Sequence, residues 1–246
     1  MTEKKRMTLG GSLETAMNGQ YQLDVKAVFK EGWSLTQLTK WRMVQAILLV
    51  FCIFLIASMV LVQIAQFHGL DVTSSGVQMV SQLMLTLISA PLMTGLIMMG
   101  VNHAIGGISK PSHLFHFLPK TLVLALAAML VGILVQLGLL LILPGLYFIV
   151  ACSFVMPLIV EKGLPPLRAI YVSIRVVTHK WKEFILLHLV FLGLFLLVAL
   201  TFGVALIWVA PLYYNVTGIL YRDIFGVTVT TYEADPSGAT ESIFHA

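Results

Sequence analysis

The chain has 246 residues, of which 59% are hydrophobic and 11% are charged, and its mean hydropathy is +0.95. Soluble globular domains carry about 25% charged residues, so a chain this apolar is expected to have lipid as its solvent. A formal net charge of +4 would suggest anionic partners in a soluble protein, whereas in a membrane protein it follows from topology. We therefore exclude a soluble class and expect no nucleic-acid partner.

Residues 1–22 are polar and aperiodic, which predicts a disordered cytoplasmic tail. Residues 25–40 combine an apolar face and a basic face with helical periodicity, which predicts an amphipathic helix in the membrane interface. Two further interfacial helices are predicted near 103–118 and 165–180. Residues 227–246 are predicted to form a second polar cytoplasmic tail.

Six membrane crossings are predicted within residues 23–226, since about 20 apolar residues span a bilayer once. They cover residues 43–65, 77–101, 119–142, 146–160 and the two halves of the apolar block 181–221, which turns near Thr201–Gly203. Prolines interrupt three of them, at Pro91, Pro157 and Pro211. The predicted fold class is an all-α polytopic membrane bundle with short interfacial amphipathic helices.

The basic residues decide the predicted orientation. The loops 66–76, 143–145 and 201–203 contain no Lys or Arg, and all 15 Lys and Arg residues fall on the other side. The positive-inside rule places that side, with both termini, in the cytoplasm of a bacterial inner membrane. Both termini on one side require an even number of crossings. The first apolar run starts only near Met43, too late for a secretory signal peptide, so we expect no cleavage.

An internal repeat supports this organisation. Ala90-Pro91-Leu92 matches Ala210-Pro211-Leu212 at the offset at which Asn102-His103 matches Arg222-Asp223. The match favours three copies of a surface helix followed by a helical hairpin. Chance recurrence of Pro-Leu pairs in a Leu-rich chain is the alternative.

Polar residues inside the predicted crossings are candidate functional groups. His188 is the one ionisable side chain well inside a crossing, and it is either a functional group or a neutral imidazole bonded to a neighbouring helix. Gln136 lies deep in the third crossing, and three more amides also lie in crossings: Gln45, Gln63 and Gln82. Interhelical hydrogen bonds explain the four glutamines most economically, and a polar translocation path is the alternative.

The predicted helix at 165–180 carries a basic stripe. Arg168, Arg175 and His179 fall within about 40° of one another on a helical wheel, and Lys162 lies just before the helix. Five apolar residues form the predicted opposite stripe: Leu167, Ile170, Tyr171, Ile174 and Val177. The pattern predicts a site for anionic lipid headgroups, and a generic interfacial helix held by nonspecific charge is the alternative.

The sequence contains no phosphate-binding loop, H-E-x-x-H or G-x-S-x-G motif. The histidines His103, His113 and His116 have no cysteine or carboxylate close in sequence, so we expect no metal or other cofactor. Cys52 and Cys152 each lie in an apolar run and are expected to be buried free thiols. Without a catalytic constellation, we expect no enzyme.

The run Leu143-Pro144-Gly145, followed by Pro157, Glu161, Leu167-Arg168-Ala169, Ser173 and Trp181, resembles a group of bacterial six-helix inner-membrane proteins. These are related to the membrane domain attached to some glycerophosphodiester phosphodiesterases, and the resemblance covers about residues 119–226. The soluble phosphodiesterase barrel has no counterpart here. The resemblance thus implies a six-crossing membrane domain with a lipid-related role, without the phosphodiesterase activity.

We therefore expect a non-enzymatic integral inner-membrane protein that acts through membrane lipids, anionic ones in particular, or through a membrane-protein partner or a second copy of itself. The alternative is a small transporter or channel, because proline-broken helices can line a binding site. A membrane enzyme ranks third, for want of catalytic residues.

Overall fold

A computed structural model of the protein describes residues 4–232. The elements in chain order are β1 (Lys4–Leu9), α1 (Leu13–Met17), α2 (Val25–Phe67), α3 (Ser75–Ala104), a 3₁₀ helix (Pro111–Lys120), α4 (Thr121–Leu139), α5 (Leu143–Ala151), α6 (Val155–Glu161), α7 (Pro166–His179), α8 (Trp181–Leu200), α9 (Leu206–Phe225) and β2 (Val227–Tyr232). Residues 1–3 and 233–246 of the predicted tails lie outside the described residues.

The described chain is almost entirely helical, in agreement with the predicted all-α class. Five helical segments are long and apolar enough to cross a membrane, as expected of a multi-pass membrane protein: α2, α3, the 3₁₀ helix with α4, α5 with α6, and α8. The predicted turn near Thr201–Gly203 separates α8 from α9. The helix α9, predicted as the sixth crossing, is not one of the five, and it carries Asn215, Arg222 and Asp223.

The two ends of the described chain meet in a strand pair that the sequence did not predict. The strands β1 and β2 are antiparallel, with Lys4 opposite Tyr232 and Leu9 opposite Val227. Ser12 then caps α1 by accepting a hydrogen bond from the backbone N–H of Thr15. The prediction of a disordered tail over 1–22 is therefore wrong for residues 4–17. The pairing joins residues more than two hundred positions apart, which local periodicity does not reveal.

The first interfacial segment is helical, as predicted, but it is not a separate helix. Residues 25–40 form the first turns of α2, which continues without interruption to Phe67. Gly32 does not break the helix, and its missing side chain leaves room for Val216 and Leu212 of α9. Within residues 25–40, Val28, Gly32 and Thr36 are buried, so one face of this segment packs into the bundle, while Trp33 and Leu38 on other faces are exposed.

The segment predicted as an interfacial helix near 103–118 is divided in the structure. α3 continues to Ala104, a turn with Gly106 at φ +82° follows, and the 3₁₀ helix begins at Pro111. The side chain of Asn102 holds the turn by donating a hydrogen bond to Ser109 Oγ, 2.8 Å away. A single amphipathic helix over this range is therefore not present.

The fourth apolar segment is broken between α5 and α6, at Cys152–Phe154. Pro157 lies in α6 and has no N–H, so the helix cannot continue unchanged through the preceding turn. Ser173 of α7 compensates for the break. Its hydroxyl donates to the carbonyl oxygen of Ala151 at 2.6 Å and accepts from the N–H of Phe154 at 3.3 Å.

The helices α3 and α9, which carry the two matching proline motifs, pack directly on each other. Pro91 and Pro211 are buried within continuous helices and do not break them. The helices approach most closely at Gly100 and Gly218, where a Cβ atom on either glycine would collide with the backbone of the other helix. The contact is of the small-residue type found between membrane helices. The threefold repeat remains a prediction.

Candidate functional site

The helix α7 occupies the predicted segment 165–180 and organises the candidate headgroup site. It starts at Pro166, where a missing N–H leaves no donor unpaired, and Pro165 precedes it in extended conformation. It ends after His179 at Lys180, and α8 begins directly at Trp181. The local sequence thus fixes both ends of the helix.

One face of α7 packs into the bundle. Five residues are buried there: Ala169, Val172, Ser173, Val176 and Val177. The predicted apolar stripe is divided between two environments: Val177 is buried, and Ile170 and Ile174 are partly buried and pack against the core. Leu167 and Tyr171 are 72% and 56% exposed. The predicted stripe is therefore not one exposed face, since Leu167 and Tyr171 alone of its five residues are exposed.

The third face of α7 is basic and exposed. Arg168, Arg175 and His179 all lie on it, as the helical wheel predicts. Arg175 donates from Nη1 to the hydroxyl oxygen of Tyr171 at 3.0 Å, and His179 Nε2 lies 3.1 Å from the carbonyl oxygen of Met17. No carboxylate forms an ion pair with Arg168 or Arg175 within the described chain. The basic face is therefore accessible to an anion.

Lys162 does not belong to this face. Its ammonium forms an ion pair with Glu161 Oε2 at 3.0 Å and donates to the carbonyl oxygen of Gly226 at 2.9 Å. Glu161 also accepts from the Tyr221 hydroxyl at 2.9 Å and from the N–H of Thr228 at 3.1 Å. The Glu161–Lys162 pair thus joins the end of α6 to Gly226 and β2, and Lys162 does not lie on the basic face of α7.

A segment between α1 and α2 covers the C-terminal end of α7. Tyr21 is buried and donates from its hydroxyl to the carbonyl oxygen of Val176 at 2.7 Å. Burial, with a smaller contribution from the charge of Glu183, raises the pKa of Tyr21, so the phenol keeps the proton that this hydrogen bond requires. Together with Ser173, Tyr21 fixes the rotation of α7 and hence the direction of its basic face.

The intramembrane polar candidates do not join neighbouring helices. His188 Nδ1 lies 2.9 Å from the carbonyl oxygen of Phe184, one turn earlier in its own helix. Gln136 is exposed on α4, and three further amides are exposed on α2 and α3: Gln45, Gln63 and Gln82. The predicted interhelical hydrogen bonds of the four glutamines are therefore absent among the described residues.

The interhelical hydrogen bonds are instead made by Asn215 of α9. Its amide nitrogen donates to the hydroxyl oxygens of Thr36 at 3.1 Å and Thr39 at 3.2 Å, both on α2. Its carbonyl oxygen lies 3.0 Å from Nδ1 of His103 on α3. One side chain thus connects three helices. In the sequence, Asn215 is one polar residue within the apolar block 181–221.

The chain of hydrogen bonds determines the tautomer of His103. The hydroxyls of Thr36 and Thr39 donate to the carbonyls of Gly32 and Leu35, so they accept from the Asn215 amide group. The Asn215 carbonyl therefore faces His103 and requires a proton on Nδ1. The lone pair of the neutral ring is then on Nε2, which is buried without a hydrogen-bond partner in the described structure.

Metal ligation has no support in the described part of the chain. No three His, Cys, Asp or Glu residues of it lie close enough together to hold a metal ion. His103 is directed to Asn215, whereas His113 lies in the 3₁₀ helix with its neighbour His116.

No family model, curated protein or solved structure matches the chain.

Proposed function

We propose that the protein is a six-crossing protein of the bacterial inner membrane that binds anionic lipid headgroups through α7. One observation carries the proposal: the basic face of Arg168, Arg175 and His179 is exposed and lies beside the exposed apolar residues Leu167 and Tyr171. Acyl chains would contact the apolar residues, while lipid phosphates would contact the basic ones. Guanidinium groups suit phosphate because they donate two parallel hydrogen bonds.

The packing of α7 favours a specific site over nonspecific attraction. Ser173, Tyr21 and the buried valines hold the helix in one rotation, so both guanidinium groups are presented together. A ligand that binds side chains already held in place causes a smaller loss of conformational entropy than one that must order them on binding. Trp181 is 50% exposed at the end of the helix, and an aromatic ring there suits the headgroup layer.

The terminal strand pair supports an even number of crossings. Hydrogen-bonded strands must lie on one side of the membrane, because the lipid interior tolerates no open strand pair. Five crossings would put β1 and β2 on opposite sides. If α9 is a sixth crossing, the two strands lie on the same side of the membrane. The basic face and most Lys and Arg residues then also lie on that side, which is the cytoplasmic one.

Reporter fusions test this topology. A periplasm-active reporter is expected to be active after three residues: Asp71, Gly145 and Phe202. It is expected to be inactive after three others: Gly107, Gly163 and Gly226. An active fusion after Gly163 would overturn the six-crossing arrangement, since α7 would then face the periplasm.

Substitution of the two arginines tests headgroup binding. Each basic residue near an anionic surface is worth about 1 kcal/mol, so Arg168→Gln with Arg175→Gln should weaken binding of phosphatidylglycerol by roughly thirtyfold. The measurement is a lipid titration of the full-length detergent-solubilised protein, followed by native mass spectrometry. The same titration with phosphatidylcholine should change little, and high salt should reduce the difference between the two lipids.

The matched control is Lys26→Gln with Lys30→Gln, which removes the same charge from two exposed positions of α2. This variant should bind phosphatidylglycerol with an affinity close to that of the native protein. Equal losses in the two double variants would contradict a site on α7, because only the net charge would then matter.

A small transporter or channel has less support than headgroup binding. Pro91 and Pro211 lie within unbroken helices at a close helix contact, so they do not open the backbone. The break at Cys152–Phe154, before Pro157, is the remaining feature in favour of transport, and Ser173 already satisfies its backbone groups. A membrane domain without enzymatic activity, similar to those linked to phosphodiesterases, fits the proposed lipid role.

A further inference from the structure

The apolar part of α2 is the least covered of the five segments that could cross a membrane. Only 6% of its most apolar window is buried, against 56% for α3 and 50% for the segment of α5 and α6. Large apolar side chains are exposed there on several sides, among them Ile56 and Met59. Lipid can cover the apolar side chains of this surface, whereas its polar side chains need hydrogen-bond partners.

Two amides lie on one line along this surface. Gln45 and Gln63 are 18 residues apart, which corresponds to five turns of an α-helix and so to the same direction. Both are exposed and have no hydrogen-bond partner in the described chain. Cys52, Ile56 and Met59 are also exposed and fall within about 40° of the line. The steps from Gln45 through Cys52, Ile56 and Met59 to Gln63 are seven, four, three and four residues. Steps of three, four and seven residues are those found along the seam of a left-handed helix pair.

We infer that this line of α2, defined by Gln45, Cys52, Ile56, Met59 and Gln63, is the interface of a parallel homodimer. A primary amide both donates and accepts, so a glutamine can pair with its own copy. In a twofold dimer whose axis is normal to the membrane, each residue on the axis faces itself. A second copy therefore satisfies both amides at once, about 27 Å apart along the helix, and polar pairing of this kind is a known source of helix association in lipid.

The inference is independent of headgroup binding, because α2 and α7 expose different surfaces. It also corrects one expectation from the sequence: Cys52 is an exposed thiol, while Cys152 is buried, at 7% exposure. The native chain therefore carries a single accessible cysteine, and it lies on the proposed dimer line.

Disulfide crosslinking in native membranes tests the dimer. Copper phenanthroline should convert the native protein to a covalent dimer through Cys52, and Cys52→Ala should abolish this product. In the Cys52→Ala background, Ile56→Cys should restore crosslinking. Phe51→Cys and Ile64→Cys should not, since these exposed residues point about 100° or more away from the line. Absence of the native crosslink, or equal crosslinking at all four positions, would overturn the interface.

Replacement of the amides tests their role. Gln45→Leu with Gln63→Leu should lower the association constant of the dimer roughly tenfold, measured by single-molecule photobleaching of labelled protein in vesicles. The matched control is Gln82→Leu with Gln136→Leu, which removes two exposed amides from α3 and α4 and should leave dimerisation unchanged. A dimer that survives the loss of Gln45 and Gln63 would contradict pairing of the amides across the interface.

Discussion

Gly218→Ala is expected to destabilise the protein by about 3 kcal/mol, the upper range for overpacking a rigid contact. A Cβ atom at this position would meet the carbonyl group of Gly100 and the nitrogen of Val101 on α3. Those atoms belong to a helix backbone, so they cannot rotate away as a side chain can. The apparent melting temperature of the detergent-solubilised protein should fall by about 6–12 °C.

Two glycines in open helix positions provide the control. Gly132 of α4 and Gly193 of α8 have no neighbouring atom within 4 Å of the position that an alanine methyl group would occupy. Alanine at either position should raise stability by up to about 1 kcal/mol, because alanine is the better helix former. If Gly218→Ala behaves like Gly132→Ala, then α3 and α9 do not pack as closely as described.

Asn215→Leu is expected to lower the free energy of unfolding by about 2–4 kcal/mol. The substitution leaves both ring nitrogens of His103 buried without partners and removes the donor that Thr36 and Thr39 accept. Each buried polar group that loses its partner costs about 1–3 kcal/mol. The control is Thr217→Val on the same helix, which removes only a hydrogen bond to the carbonyl of Tyr213 one turn earlier and should cost less than about 1 kcal/mol.

A double-mutant cycle separates the His103–Asn215 contact from the other effects. His103→Leu, Asn215→Leu and their combination should show a coupling energy of about 1 kcal/mol, typical of polar pairs between membrane helices. A ¹⁵N spectrum of histidine-labelled protein should also show one ring protonated at Nδ1. Additive effects together with protonation at Nε2 would contradict the hydrogen-bond chain.

The amphipathic helix at 165–180 could be predicted because its evidence is local. Two prolines mark its start, and Arg168, Arg175 and His179 recur at helical spacing. The sequence could not assign its apolar faces, however. Lipid and protein core both select apolar side chains, so the exposed Leu167 and the buried Val177 look alike in a helical pattern.

The features that the sequence missed depend on distant residues. Residues 25–40 have the composition of a surface helix, but Gly32 lets α9 pack against them. Lys162 looks like one more surface cation until Gly226 and Glu161 are placed beside it. Asn215 gains its role only from helices far away in the chain, and Gln45 or Gln136 would have been equally reasonable candidates. Helix packing decides which polar residue finds partners.

The most direct test of headgroup binding at α7 is quenching of Trp181 fluorescence by brominated lipids. Three other tryptophans are replaced by phenylalanine: Trp33, Trp41 and Trp208. The protein is then reconstituted in vesicles in which a fixed fraction of either phosphatidylglycerol or phosphatidylcholine is brominated. Brominated phosphatidylglycerol should quench Trp181 more strongly, and Arg168→Gln with Arg175→Gln should remove the difference. Equal quenching of Trp181 by the two lipids in the protein that keeps Arg168 and Arg175 would contradict an anionic headgroup site on this helix.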